Sequence, residues 1–248
     1  MEHFFSIIIP SLNEEYNLPI LLKSLATQTS RNFEVIINDS GSKDKTKEYA
    51  ESFKDMLPSL NFITHPTKNV SMARNNGAYH AKGDWLVFFD ADVEVEKDFI
   101  EGVEKHINDS RPDSMTVWNR PKNSNLQGAI TLNLLNLSMT IFQKIKPAAN
   151  GPCILMKKEL FEMLKGFDDT IFFGEDFDII QRAHKLGKKF AVFPKPMLYV
   201  STRRFEKEGI FFSLYKSLKA IAYQLIFGPI RKPIFEYEMG GQYYKKKN

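Results

Sequence analysis

A single cysteine, Cys153, stands in a chain of 248 residues, so no intrachain disulfide can form and nothing in the sequence asks for an oxidising compartment. Long apolar runs are missing as well. The stretch Phe4 to Ile9 is too short for the core of a secretory signal, and Glu2 stands where such a signal carries basic residues. That stretch therefore reads as a buried first strand, and the expected setting is the cytoplasm. No Gly-x-Gly-x-x-Gly loop follows it. Ser11-Leu12-Asn13-Glu14 stands there instead, which argues against a nicotinamide-dependent oxidoreductase. Repeats and low-complexity linkers are also absent, and the length suits one α/β domain with a tail.

Charge is small in sum but uneven in placement. The formal total is +4, yet residues 201–248 hold ten Lys or Arg against four Glu, a local +6 that leaves −2 for residues 1–200. A basic, aromatic-rich tail on a mildly acidic body points to anionic phosphates as the tail's partner, on lipid headgroups or on a substrate. An ordinary solvated extension is the alternative. Nucleic acid would account for the tail but not for acidic strand ends, and is not expected as a partner.

Short β-branched or aromatic runs alternate with amphipathic stretches through the first half, the pattern of βαβ units on a mostly parallel sheet. Strands are predicted at Phe4 to Pro10, Phe33 to Asp39, Leu60 to His65 and Trp85 to Asp90, with helices at Glu14 to Gln28 and from Ser42, as N-cap, to Phe53. Beyond residue 110 the pattern turns irregular. Helices are read at Ile130 to Phe142, Glu175 to Leu186 and Glu208 to Phe227, and short strands at Phe190 to Phe193 and Met197 to Val200. This gives a catalytic domain over 1–205, divided near 110 into a donor half and an acceptor half, and a helical tail over 206–248.

Two strands end at aspartates, and open α/β sheets bind ligands beyond their carboxyl ends. Asn13 and Glu14 follow the first strand at Pro10, and Asp39-Ser40-Gly41-Ser42-Lys43-Asp44 follows the second. A carboxylate at Asp39 can accept a ring N–H of uracil or guanine; equally, Asp39, Ser42 and Asp44 can be turn residues only. Asp90-Ala91-Asp92 closes the apolar strand from Trp85, and a pair of carboxylates so placed suits Mg²⁺ or Mn²⁺, one of the two directly on the ion and the other on ribose hydroxyls or metal-bound water. Arg74, at the opening of a helix, faces an anion or pairs with a carboxylate. Glu175-Asp176 starts another helix, where the dipole alone would favour acids, but where one carboxylate can also act as general base while its neighbour orients an acceptor. Arg182, two turns along, is expected to support that pair.

In order and spacing these pieces resemble glycosyltransferase family 2, whose members are inverting enzymes of the GT-A fold. The likeness covers residues 4 to about 188 and rests on Ile7-Ile8-Ile9-Pro10 with Asn13-Glu14, Asp39 with Ser40 to Asp44, Ala73-Arg74-Asn75-Asn76-Gly77, Asp90-Ala91-Asp92, and Gly166-Phe167-Asp168 ahead of Glu175-Asp176. The resemblance implies a nucleoside-diphosphate sugar as donor, UDP before GDP, a base contact at Asp39, a metal at Asp92 and a catalytic base at Asp176. Three departures narrow it. The Gln-x-x-Arg-Trp motif of processive synthases is missing. Val93-Glu94-Val95-Glu96 replaces the Leu-Gln-His-Pro-Pro-Glu of dolichol-phosphate mannose synthases. Ser201-Thr202-Arg203-Arg204 stands where many GT-A enzymes carry a histidine, so Arg203 and Arg204 are the candidates to neutralise a leaving diphosphate. A nucleotide-sugar-binding protein without transfer is the rival reading.

The tail helix presents Phe211, Phe212, Leu214, Leu218, Ile221, Leu225 and Ile226 on one wide face. That face needs a cover, and three are open: peripheral contact of 208–232 with the inner face of a membrane, packing on the catalytic domain, or a second copy of the chain in a homo-oligomer. The acceptor is expected to be a glycan or a lipid-linked hydroxyl.

Overall fold

The computed structural model describes residues 2–65, 69–122 and 126–201 and, in the tail, 215–216, 219–220, 223–224 and 226–234. The apolar runs of the first half become β1 (Phe5–Ser11), β2 (Phe33–Asp39), β3 (Leu60–Thr64) and β4 (Trp85–Phe89), with α1 (Leu18–Ala26), α2 (Thr46–Glu51) and α3 (Val70–Tyr79) as crossovers. These four strands are parallel in the order β3-β2-β1-β4. After them come β5 (Val93–Val95), α4 (Phe99–Ser110), β6 (Ser114–Pro121), α5 (Leu126–Phe142), β7 (Cys153–Lys157), α6 (Lys158–Met163), α7 (Glu175–Lys185) and β8 (Phe190–Val200). They extend the same sheet as β4-β7-β6-β8-β5. The result is a mixed α/β fold with helices on both faces.

The sheet is mostly parallel, as expected: the first half is parallel throughout, β6 and β8 are parallel as well, and the antiparallel pairs all involve β7 or β5. β7 runs antiparallel to both β4 and β6, and β5 runs antiparallel to β8. Because β5 leaves the donor half to pair at the far edge, a division near residue 110 does not split the sheet.

Period-2 alternation sorts the core. Ile7, Ile9, Val35, Ile37, Val87 and Phe89 point into the cluster that α1 and α4 cover, while Ile8, Ile36, Leu86 and Phe88 point into the one beneath α6 and α7. α3 lies directly on β1, and Gly77 makes that possible: a Cβ there would stand 2.5 Å from Ile8 Cγ2.

Three predicted boundaries move for local reasons. α1 starts at Leu18 rather than Glu14, since Asn13 adopts the left-handed region at φ 55° and Glu14 to Asn17 form a turn before the helix. α2 starts at Thr46, and its N-cap position is Lys45. Ser42 is no cap, because its hydroxyl is used inside the preceding turn. The two short strands near the end are one strand, β8, which runs through Pro194 and Pro196 with a register shift against β6 between Val117 and Asn119. Prolines lacking an N–H broke the pattern without ending the strand.

Most of the predicted helix Glu208 to Phe227 lies outside the described residues; those described between 215 and 227 are helical. The chain around Ile230 then docks on the loop ahead of α7. Ile230 is 0% exposed, its carbonyl accepts from Phe172 N–H at 2.7 Å, and Arg231 pairs with Asp168 at 2.9 Å. Gln224 reaches the loop at Gly174, just before α7.

Candidate active site

The turn after β2 is built on Asp39. Its Oδ2 accepts the N–H groups of Gly41 (3.0 Å) and Ser42 (2.8 Å), while Oδ1 accepts the hydroxyls of Ser11 (3.1 Å) and Ser42. A carboxylate offers about four acceptor sites, so this turn uses all of them. A base contact through Asp39 requires one of those donors to turn away. Asn13 stitches the loop after β1 to the same turn, donating its N–H to Ser42 Oγ (2.7 Å) and accepting from Lys43 N–H (2.9 Å). Pro10 lies beside Asn38 in the β1–β2 register.

α3 opens at Asn69, whose side chain caps Met72 N–H, and one turn later it places Arg74 under the end of β4. Arg74 is 2% exposed. Its Nη2 donates to Asp90 Oδ1 (2.8 Å) and Nη1 to Glu175 Oε1 (2.8 Å), and the guanidinium lies over the Phe167 ring. Burial alone would lower its pKa, but Asp90, Glu175 and Asp176 outweigh burial and hold it above the ordinary arginine value. Arg74 is thus a fixed cation at the centre of an acidic cluster, more than a surface ion pair.

Gly174, left-handed at φ 84°, turns the chain into α7 so that Glu175 and Asp176 face this arginine. Asp178, in the same Asp-x-Asp run, diverges and pairs with Arg182 at 2.7 Å. Arg182 also donates to the carbonyls of Leu164 and Gly166, so it braces that loop and not the Glu175-Asp176 pair. Desolvation raises the Asp176 carboxyl to about 7, with Glu175 adding to the rise and Arg74 opposing it.

A residue that sequence reasoning passed over completes the cluster. A Cβ on Gly151 would stand 3.3 Å from Asp176 Oδ2, 3.8 Å from Asp90 Oδ2 and 3.9 Å from Arg74 Nη2. One small volume thus meets three elements. Its only sequence signal is Asn150-Gly151-Pro152 ahead of an apolar strand, which reads as a plain turn. Nearby, burial pushes the Cys153 thiol up, so it is no nucleophile at neutral pH.

Glu14 faces the same end of the sheet. Burial pushes its carboxyl up to about 7 against the lowering bond from Asn17, and the charges of Asp92, Asp90 and Asp44 add to the rise. The donor set is all hard oxygen and carries more negative charge than Arg74 offsets, which suits Mg²⁺ or Mn²⁺. Among the described residues no group of three His, Cys, Asp or Glu can hold a metal by itself. A cation at this end of the sheet would have to take its remaining ligands from phosphate and water, the usual habit of Mg²⁺. Arg203 and Arg204 lie outside the described residues.

Comparison with known proteins gives the family and the fold. The model of "Glycosyl transferase family 2" matches residues 6–163, more than half of the chain. Glycosyltransferase GlyA of Streptococcus pneumoniae is 26% identical over 215 residues, which are 80% of this chain and 30% of that protein. An uncharacterized glycosyltransferase of Haemophilus influenzae is 31% identical over 181 residues, 71% of this chain and 60% of that one. The chain thus spans between 30% and 60% of the length of these relatives. The mannosyltransferase PcManGT of Pyrobaculum calidifontis, solved with GDP-Man and Mn²⁺, shares the fold at a TM-score of 0.71 and 19% identity, covering 89% of this chain and 61% of that one.

Proposed function

The chain belongs to glycosyltransferase family 2, and from that premise we propose that it transfers a sugar from a nucleoside-diphosphate sugar to an acceptor hydroxyl with inversion at the anomeric carbon. The observation that carries this reading is the convergence of Asp90, Arg74 and Asp176 on the Gly151 position. Asp176, raised to about 7, is matched to take a proton near neutral pH. As the acceptor oxygen forms its bond to the anomeric carbon, its proton passes to Asp176, and the bond to the diphosphate on the opposite side breaks with its electron pair leaving on the diphosphate. Glu175, held by Arg74, orients the acceptor. Pro10, Asn13, Glu14, Asp39 and Asp90 form the nucleotide side of the crevice.

Asp92, with Asp90 beside it, would hold Mn²⁺ or Mg²⁺, which when bound supplies Lewis-acid stabilisation of the diphosphate. The Mn²⁺ complex of the Pyrobaculum mannosyltransferase supports a divalent ion. The acceptor is a cell-envelope glycan or a lipid-linked hydroxyl.

Incubation with UDP and GDP sugars, Mn²⁺ and an acceptor tests this. Release of the nucleoside diphosphate together with a product of inverted configuration is expected. A retained configuration, or turnover by Asp92→Ala undiminished in chelator, rejects the mechanism.

A further inference from the structure

Helix α5 is apolar on two opposite faces. One, with Leu132 and Met139, is buried against the body of the protein. The other carries Leu126, Ile130, Leu134, Leu137 and Ile141 at four- and three-residue steps, continued past the helix end by Ile145, and all six side chains are exposed, from 49% at Leu137 to 76% at Ile145. A helix that is hydrophobic all round normally has a cover on every side. Here the outward stripe has none among the described residues, and it runs the length of the helix, roughly 25 Å at 1.5 Å per residue.

The character of that stripe decides what covers it. From Leu126 to Phe142 the sequence contains no Asp, Glu, Lys or Arg. Its neighbouring polar side chains are already committed within the protein: Asn133 accepts from Arg120 (3.0 Å), and Ser138 donates to Leu135 O (2.8 Å). The stripe itself offers no polar side chain to fix the register of a protein partner, and interfaces between proteins carry such groups at their rims. Just past the last turn, exposed Lys144 and Lys146 flank Ile145. Apolar side chains at one level with lysines at the boundary match the acyl and headgroup layers of an anionic bilayer. At 17 residues and with its other face in the core, α5 suits lying on a membrane surface and not crossing one, and no helix among the described residues is long and apolar enough to cross.

We propose that the outward face of α5 docks the protein on an anionic lipid surface, and that the acceptor is a membrane-embedded, lipid-linked hydroxyl. The acceptor part rests on the transferase reading; the docking does not. α5 is also close to the chemistry. The loop that follows it reaches Gly151 within ten residues, and Pro147 O accepts from Gln181 on α7, the helix that bears Asp176. A docked α5 therefore holds the acceptor side of the site near the bilayer. This differs from a contact through 208–232, whose described end is bound to the 168–174 loop.

The test is sedimentation of the full chain with phosphatidylcholine–phosphatidylglycerol vesicles, alongside a Leu134→Glu/Leu137→Glu/Ile141→Glu variant. The wild type is expected to pellet with the vesicles, less so at high salt or with phosphatidylcholine alone, and the variant to lose roughly tenfold or more in vesicle affinity. Because the three positions are exposed, the variant should keep the wild-type melting temperature and its shift with nucleotide sugar; a Leu134→Phe/Leu137→Ile control should still bind vesicles. Wild-type protein that stays in the supernatant, or a glutamate variant that pellets equally, overturns the docking. So does a vesicle-indifferent dimer that the variant turns into monomer, which assigns the face to a second copy. Hydrolysis of the donor sugar in detergent, without vesicles, is read in parallel: lost docking with hydrolysis intact removes this inference alone, whereas wild-type protein that never turns over a donor removes the transferase reading.

Discussion

Gly151 is the residue at which the smallest change should have the clearest effect. Adding one methyl places it 3.3 Å from Asp176 Oδ2, in the space where an acceptor hydroxyl would approach its base. Gly151→Ala is expected to lower kcat by about tenfold or more, since misplacement of an ångström at a reacting group costs about that or worse. Donor affinity by calorimetry should stay put; an unchanged kcat removes Gly151 from the site. Asp176→Asn should cost more, on the order of 10² to 10⁴ in rate, again with donor binding retained. Its pH profile carries the sharper test. With the carboxyl raised to about 7, wild-type kcat/KM should fall by about tenfold per unit below that pH, and the asparagine variant should lack this limb. Arg74, Asp90, Glu175 and Asp176 were legible in the sequence because charged residues next to strand ends and helix starts stand out. Gly151 was not, because a site made by the lack of a side chain has the same appearance as a turn. Asp39 was legible as important, and its four internal donors show that the turn reading of it has a firm physical basis.

Legibility at the level of elements follows the hydrogen-bonding pattern. β1, β2 and β4 are buried on both faces and join through helices, so each appears as an apolar run between amphipathic stretches, and the edge strand β3 follows the same alternation with half-buried residues. β5 is three residues long, and β6 and β7 are joined through α5, a helix with no polar face to mark it. Those strands escaped the reading for that reason; α6, six residues long, is too short to show a period, whereas α4 escaped although its buried Phe99, Ile100, Val103 and Ile107 fall at helical spacing. The motif Ala73-Arg74-Asn75-Asn76-Gly77 also gains a mechanical meaning. Asn75 accepts from Phe167 N–H (2.8 Å) and donates to Phe167 O (2.9 Å), Asn76 donates to Asn38 (2.6 Å), and Gly77 lets the helix touch β1. Gly77→Ala should therefore force α3 off the sheet, costing about 1–3 kcal/mol by overpacking, which in a domain this large lowers the melting temperature by roughly 2–4 °C per kcal/mol. Activity should fall along with stability, because Arg74 rides on the same helix. A Gly77→Ala protein that melts with the wild type would show that the contact is slack.

The molecule as a whole carries a pH signature through Glu14 and Asp176, two carboxyls at one end of the sheet that are both raised to about 7. A carboxyl raised on folding holds a proton in the native state that the unfolded chain has already lost, so its contribution favours the fold below its unfolded value and disappears as pH rises through about 7. Asp113 and Asp168 work in the opposite sense: both are lowered, from 3.8, so their contribution is lost only as pH falls below that range. Between pH 5.5 and 8 the raised pair should decide the sign. The ligand-free protein is therefore expected to melt at a lower temperature at pH 8 than at pH 5.5. Above pH 7 the ionised cluster is also the better cation seat, so Mn²⁺ with a nucleoside diphosphate should raise the melting temperature more at pH 8 than at pH 5.5, as mass action on the native state requires. Asp92→Ala should lose most of that metal-dependent rise while keeping the pH trend of the ligand-free protein, since Asp92 is only a secondary contributor to the Glu14 shift, behind burial. Thermal melts across that range, with and without the ion, separate the two ideas. A ligand-free protein that gains stability toward pH 8 contradicts the raised carboxyls, and a metal response that is flat with pH or unmoved by Asp92→Ala takes the cation away from this end of the sheet.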